Sequence, residues 1–279
     1  MNGLGIIAGG GELPVAIADS ASRAGRSVYI AALQGSADPD VEKYPHDWVS
    51  LGEAGRTLSL LRQHGCAEVV LAGRVSRPKW SDVKVDAKGI LKLPKVMAAA
   101  ARGDDALLRS FVDILESEGF RAVGVAEAAP DLVADIGVLG ARRASRDDES
   151  DIALAIKVAR AMGALDVGQA AVACGGLVLA VEAAEGTDAM ISRVGTLPEN
   201  LRGTSTNRRG VLVKARKPIQ DGRTDLPVIG RQTVTGVAAV GLAGIAVEAG
   251  AALILNKTAV AQAADRAGIF VLGFPPQAS

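Results

Sequence analysis

The sequence predicts an α/β protein built in two halves. Through the first half, short apolar strand-like runs alternate with helical patterns, which implies a parallel sheet with helical crossovers. A stretch over 127–140, with a proline and scattered small residues, interrupts that alternation and sets a boundary near residue 133. Beyond it the alternation resumes, with no repeat at a fixed period. The expected domains are therefore 1–133 and 134–279, both α/β.

Gly5–Ala8 reads as the first buried strand, and three glycines then lead into an alanine-rich helix over Pro14–Ala24. Strands are expected at Val28–Leu33, Trp48–Leu51 and Glu68–Ala72, with a helix at Glu53–Gln63. Asp82–Glu118 is mostly helical in pattern, interrupted by Gly89 and Pro94, and Phe120–Val125 looks like one more strand. In the second half, Ser145 to Glu149 supplies caps and first-turn acids for a helix over Ile152–Met162. Strands follow at Gln169–Cys174 and Leu177–Glu182, a helix near Asp188–Arg193 and a strand at Gly210–Arg216. A loop over 217–231 leads to a small-residue helix, Thr235–Ala249. A strand (Ala251–Leu255), a helix (Thr258–Ala267) and a last strand (Ile269–Phe274) complete the chain.

Nearly half of the 279 residues are apolar but only 3% are aromatic, so Ala, Val, Leu and Ile must build the core. Lys+Arg and Asp+Glu balance at 31 each, so no global basic field recruits nucleic acid, and anion binding must be local. Cys66 and Cys174 sit in apolar strands, where buried reduced thiols are expected, as suits a cytoplasmic protein. The first strand follows Met1 directly with no signal-peptide pattern, and the longest apolar stretch, Val237–Val247, is too short to span a bilayer.

The opening glycine turn has the anatomy of a nucleotide-binding loop: strand, glycines, helix N-terminus. It is not a dinucleotide fingerprint. The window from Gly9 ends on Pro14, and Leu33-Gln34-Gly35 stands where a ribose-binding acid belongs. What survives is close backbone approach at Gly9–Gly11 and N–H groups that attract an anion. A tight turn with no ligand would read the same way. With only His46 and His64 in the chain, histidine-based metal sites and triads are nearly excluded, so a metal must be hard and oxygen-bound, Mg²⁺ or Mn²⁺.

Two stretches offer the carboxylates. In "LAVEAAEGTDAMI" (179–191) a buried strand ends at Glu182 and Glu185-Gly186-Thr187-Asp188 turns into a helix, where open α/β sheets bind ligands. A plain helix cap has the same spelling. In "KPIQDGRTDLPVIG" (217–230), Lys217, Asp221, Arg223 and Asp225 fall within nine residues after a strand on which Leu212, Lys214 and Arg216 share a face. Acids for a cation and bases for phosphate oxygens suit a metal–phosphate site, although a solvated turn looks similar. Lys84, Lys88, Lys92 and Lys95 line a helix face, either solvated or resting on a membrane surface.

These segments, with "GIIAGGGELP" (5–14), "VVLAGRVSRP" (69–78) and "GIAVEAGAALILNK" (244–257), resemble the UDP-2,3-diacylglucosamine pyrophosphatase family of lipid A biosynthesis, the kind unrelated to calcineurin-like phosphoesterases. The resemblance runs from residue 1 to about 274. It implies a Rossmann-like N-terminal domain, a C-terminal catalytic domain and a ligand cleft between them. It also implies Mg²⁺-dependent hydrolysis of the lipid-linked sugar nucleotide to UMP and 2,3-diacylglucosamine 1-phosphate. On that basis Asp225 and Asp188 hold metal or activate water, with Glu182 a third ligand. Lys217, Arg223 and Arg231 balance phosphate charge, and Thr187 joins the substrate site. Gly10, Gly11 and Glu12 shape the nucleotide or sugar-phosphate end, and Arg74 stands at the sheet's ligand edge. The acyl chains need an apolar wall, for which the Asp82–Glu118 region is the candidate. Transient contact with the inner membrane surface and a homo-oligomer stay open, as do two other functions: a sugar-nucleotide-binding module without turnover, and a glycosyltransferase releasing UDP.

Overall fold

Strand β1 (Gly3–Ala8) buries Leu4, Ile6 and Ala8 completely, as a strand covered on both faces must. In the computed structural model, which describes residues 3–75, 84–101, 103–218 and 226–276, it is the central strand of an all-parallel sheet. The order is β3-β2-β1-β4-β5, with β2 Val28–Leu33, β3 His46–Val49, β4 Cys66–Ala72 and β5 Arg121–Ala122. Helix α1 (Leu13–Arg23) connects β1 to β2, and α2 (Ala54–Gln63) connects β3 to β4. Helices α3 (Ala87–Ala100) and α4 (Asp104–Ser117) stand between β4 and β5. The order reverses between β1 and β4, the switch point at which Rossmann-like sheets bind ligands beyond their strand ends.

The residues account for the awkward joints. Asp86 caps α3 through the Gly89 N–H (2.7 Å) and also accepts from the Arg56 N–H (2.9 Å) at the start of α2. One carboxylate thus serves two helix N-termini. Gly89 does not interrupt the helix: a Cβ there would stand 2.0 Å from the Gly52 carbonyl oxygen, so glycine lets the backbones touch. The lysine row lies along the seam with α4. Lys88 and Lys92 approach Glu118 (2.9 and 3.9 Å) and Lys95 meets Asp113 (2.8 Å). Lys88 and then Arg62 hold the Glu118 carboxyl below its usual range. The expected strand over Phe120–Val125 shrinks to β5, because α5 (Val125–Ala128) begins at once.

The chain divides between Asp131 and Leu132. The second unit holds a six-stranded sheet in the order β6-β13-β11-β9-β7-β8. Its strands are β6 Gly137–Leu139, β7 Ala170–Cys174, β8 Leu177–Val181, β9 Val211–Lys214, β11 Gly244–Glu248 and β13 Phe270–Phe274. The central β9, β11 and β13 are parallel, and the outer strands are antiparallel to their neighbours. A separate parallel pair joins β10 (Val228–Ile229) to β12 (Leu253–Ile254). Alternation sets the layers. Val211, Val213, Ala171 and Ala173 face α6 (Arg146–Ala164). Leu212, Ala170, Val172 and Ile245 face α7 (Gly186–Gly195), α8 (Arg231–Ala239) and α9 (Lys257–Ala267). The expected capped helix is confirmed as α6, where Ser145 and Asp148 form a full capping box.

The single helix expected over Thr235–Ala249 is instead α8 followed by β11. Gly241, at φ 81°, turns the chain between them. Strand β11 is covered on both faces, so it shows no alternation, and its run of small apolar residues reads like a buried helix.

Candidate active site

Strands β9, β11 and β13 end on the same edge of their sheet, and β8 runs the same way because two antiparallel steps separate it from β9. Glu182, one residue past β8, therefore arrives beside Lys214, the last residue of β9. Both are buried, Lys214 to 5% exposure. Burial of charged groups requires partners, and the partners are present. The Lys214 ammonium donates to Thr187 Oγ1 (2.9 Å) and to the Val228 carbonyl (3.1 Å). The Thr187 hydroxyl donates in turn to Glu182 Oε1 (2.5 Å), while Glu182 Oε2 accepts from the Gln169 N–H (3.1 Å). A lysine, a hydroxyl and a carboxylate thus form one chain at the strand ends. Beside it, Gln169 Oε1 is a buried acceptor without a hydrogen-bond partner among the described residues.

The chain limits what each member can do. The Thr187 proton goes to Glu182 and its lone pair to Lys214, so Thr187 fixes its neighbours and has no proton left for a substrate oxygen. Both Glu182 oxygens are engaged as well. Lys214 was not among the site residues expected from sequence. The signal was there, a lysine on the Leu212 face of an otherwise apolar strand, but alternation gives only the face and not the partner.

The other expected residues of this unit are spread along the same edge. Asp188 is exposed in the first turn of α7, 3.5 Å from Gln232 Nε2 of α8. Arg231 is exposed at the first position of α8. Lys217 is paired with Asp166 at 2.9 Å, so its charge is already balanced inside the protein. On the α6 side of the sheet, Glu248 at the end of β11 accepts from Arg160 (3.0 Å) and from the Arg216 N–H (3.0 Å). Asp225 and Arg223, together with Asp221, lie outside the described residues.

In the first unit, the glycine turn and Arg74 occupy the switch-point edge, joined by backbone bonds in both directions (Gly10 N–H to Arg74 O, 2.8 Å; Arg74 N–H to Gly10 O, 2.9 Å). Packing of the protein on itself explains two of the glycines. A Cβ on Gly9 would stand 2.5 Å from the Arg74 carbonyl oxygen, and one on Gly10 would stand 2.6 Å from that of Ser36. Gly11 faces open space and needs glycine for its φ of 94°. Its N–H, expected to be available to an anion, donates to Asp38 Oδ2 at 2.6 Å. The sequence placed no acid at the end of β2; the loop beyond β2 returns one to the turn. Glu12 and the Arg74 side chain are exposed.

Among the described residues, no three of His, Cys, Asp and Glu come together in a way that could hold a metal ion. Neither cysteine is poised for nucleophilic attack: both are buried and free, and burial raises the Cys66 thiol to about 11 and that of Cys174 above its usual value. His64 stacks on Tyr29 at 3.9 Å and His46 bonds the Tyr44 carbonyl, so both are structural. No helix among the described residues is long and apolar enough to cross a membrane.

Comparison with known proteins covers both units. Residues 3–132 match the model of the LpxI N-terminal domain and residues 135–272 that of the LpxI C-terminal domain. A curated relative, the UDP-2,3-diacylglucosamine pyrophosphatase LpxI of Caulobacter vibrioides, is 49% identical over 277 residues, covering 99% of each chain.

Proposed function

Since the chain belongs to the LpxI family through both of its domains, we propose that it hydrolyses the pyrophosphate bond of UDP-2,3-diacylglucosamine, giving UMP and 2,3-diacylglucosamine 1-phosphate in lipid A biosynthesis. The observation that carries this is the full-length identity to a relative bearing that activity in its name. The residues are compatible with phosphoanhydride chemistry. Such a substrate presents two anionic phosphoryl groups, and stabilising charge at the bridging and non-bridging oxygens is the main task of the site. Lys214, locked by Thr187 and the Val228 carbonyl, brings a fixed positive charge to the strand ends. Arg231 adds an exposed cation, and Arg223 belongs to the same segment. Asp188 and Asp225 are assigned the roles of the acidic side chains: to hold metal or, as a base, to orient the attacking water and accept its proton.

A hard divalent cation, Mg²⁺ or Mn²⁺, would neutralise charge between the two phosphoryl groups. The described carboxylates do not by themselves form a site for it, so the ion enters as a prediction. Activity is expected to vanish in EDTA and return with Mg²⁺ or Mn²⁺, and full activity in EDTA would remove the metal from the proposal.

The deciding experiment is product analysis. Purified protein is incubated with UDP-2,3-diacylglucosamine and Mg²⁺, and the nucleotide is identified. UMP supports the pyrophosphatase; UDP would mean glycosyl transfer, and no product would mean a binding module. For Asp225→Asn, which keeps shape but removes charge and basicity, kcat should fall at least ~100-fold with little change in KM or thermal midpoint. Normal turnover would show that the acid roles are assigned to the wrong residue.

A further inference from the structure

The outer face of α3 is apolar, the reverse of a solvated helix. Ala87, Ile90, Leu91, Pro94, Met97 and Ala98 are all exposed, Leu91 to 78%, Ile90 to 61% and Met97 to 42%. At 3.6 residues per turn they fill an unbroken arc of about 120° with no charged residue in it. The inner face is what docks the helix, through Gly89, Val96 and Ala99. Lys88 and Lys95 stand exposed at one margin of the arc, bonded to Glu118 and Asp113, so the ion pairs hold the apolar arc outward. Lys84, just before the helix, is exposed too. The large hydrophobic residues exposed among the described residues of the first unit are Val75, Val85, Ile90, Leu91 and Met97, so all but one fall within 85–97.

We propose that this face of α3 docks on the surface of an anionic bilayer, the helix lying in the interface with Lys84, Lys88 and Lys95 among the headgroups. A helix with a continuous apolar face and lysines at its margin is what an interfacial helix requires. The area argues against a second copy of the chain. Fourteen residues make a helix about 21 Å long and one helix wide, a strip of roughly 200–300 Å², against about 800 Å² per partner in a stable protein interface. The occupant follows from the proposed function, on which this inference rests: a diacylated sugar nucleotide is held in such a surface by its acyl chains.

The test uses the full-length protein alone, sedimented with vesicles of phosphatidylcholine or of phosphatidylcholine with phosphatidylglycerol. The bound fraction should rise with phosphatidylglycerol and fall as salt is added. The Ile90→Glu/Leu91→Glu double variant should lose at least about tenfold in partitioning, with its circular dichroism spectrum unchanged. In case that variant folds poorly, Leu91→Trp gives an independent reading, since the emission it adds to that of Trp48 and Trp80 in the wild type should shift to the blue on phosphatidylglycerol vesicles. The proposal is overturned if the wild type stays in the supernatant, if the charged variant binds as tightly, or if the face instead drives a concentration-dependent dimer. UMP release from detergent-dispersed substrate, measured separately, keeps the two readings apart. Binding without UMP release would leave the docking face and remove the substrate; UMP release without binding would remove the docking face alone.

Discussion

A lysine at 5% exposure keeps its charge only if the protein supplies acceptors, and Lys214 finds Thr187 and the Val228 carbonyl. We expect Lys214→Met to lower kcat about tenfold or more and to lower the thermal midpoint as well, because removing the lysine leaves Glu182 buried without its cation, so kcat is read well below that midpoint. Unchanged kcat and KM would make the Glu182–Thr187–Lys214 chain purely structural. The glycine turn carries the opposite expectation. A side chain at Gly10 meets the Ser36 backbone, so Gly10→Val should cost about 1–3 kcal/mol of stability, read by urea unfolding, before any effect on KM is interpreted. Glu182 and Thr187 stood out in the sequence because they lie between a strand end and the helix that follows it, but their link to Lys214 did not. Asp38 could not: it lies 27 residues from Gly11, and only the folded path of the loop beyond β2 brings them together.

Most elements could be read because their apolar runs are short and bounded by turn residues or because their caps are explicit. Strand β2 occupies the predicted Val28–Leu33, and α6 begins at its predicted cap. The reading failed where a strand buried on both faces continues a helical run of small apolar residues without a break in the pattern. In β11, Gly244 is there to clear the Phe270 ring, which an added Cβ would approach to 2.5 Å. A helix would have had no such need. Gly244→Val, although valine favours strands, should therefore destabilise the second unit by about 1–3 kcal/mol through overpacking, measured as a lower urea midpoint. A neutral result would mean that the Phe270 ring has room to move. Short strands such as β6 and β10, with three and two residues, exist only through pairing with distant partners and leave no local signal.

At the scale of the molecule, composition foretold the core: among the described residues the largest fully buried side chains are mainly Leu and Ile, with Tyr29 and Phe270 the aromatic ones. The two cysteines are distributed one to each unit, Cys66 at the start of β4 and Cys174 at the end of β7. Each therefore reports the opening of its own unit. Burial raises the Cys66 thiol to about 11, so at neutral pH it is protonated as well as shielded, and reagent must wait for unfolding. The sign of the linkage follows. A thiol raised in the folded state contributes stability that is full below its unfolded value, near 8.5, and is lost as pH climbs through about 11. We expect a thiol reagent at pH 7 to label the native protein slowly, in two phases if the units open separately, with Cys66→Ser removing one phase and leaving the other. The first-unit phase should quicken as pH rises from 8.5 toward 11 by more than the reagent's own pH dependence. Stoichiometric labelling of Cys66 within seconds at pH 7 would mean that this strand end is open in solution, and the all-parallel sheet of the first unit could then not be as closed at β4 as the burial of Cys66 requires.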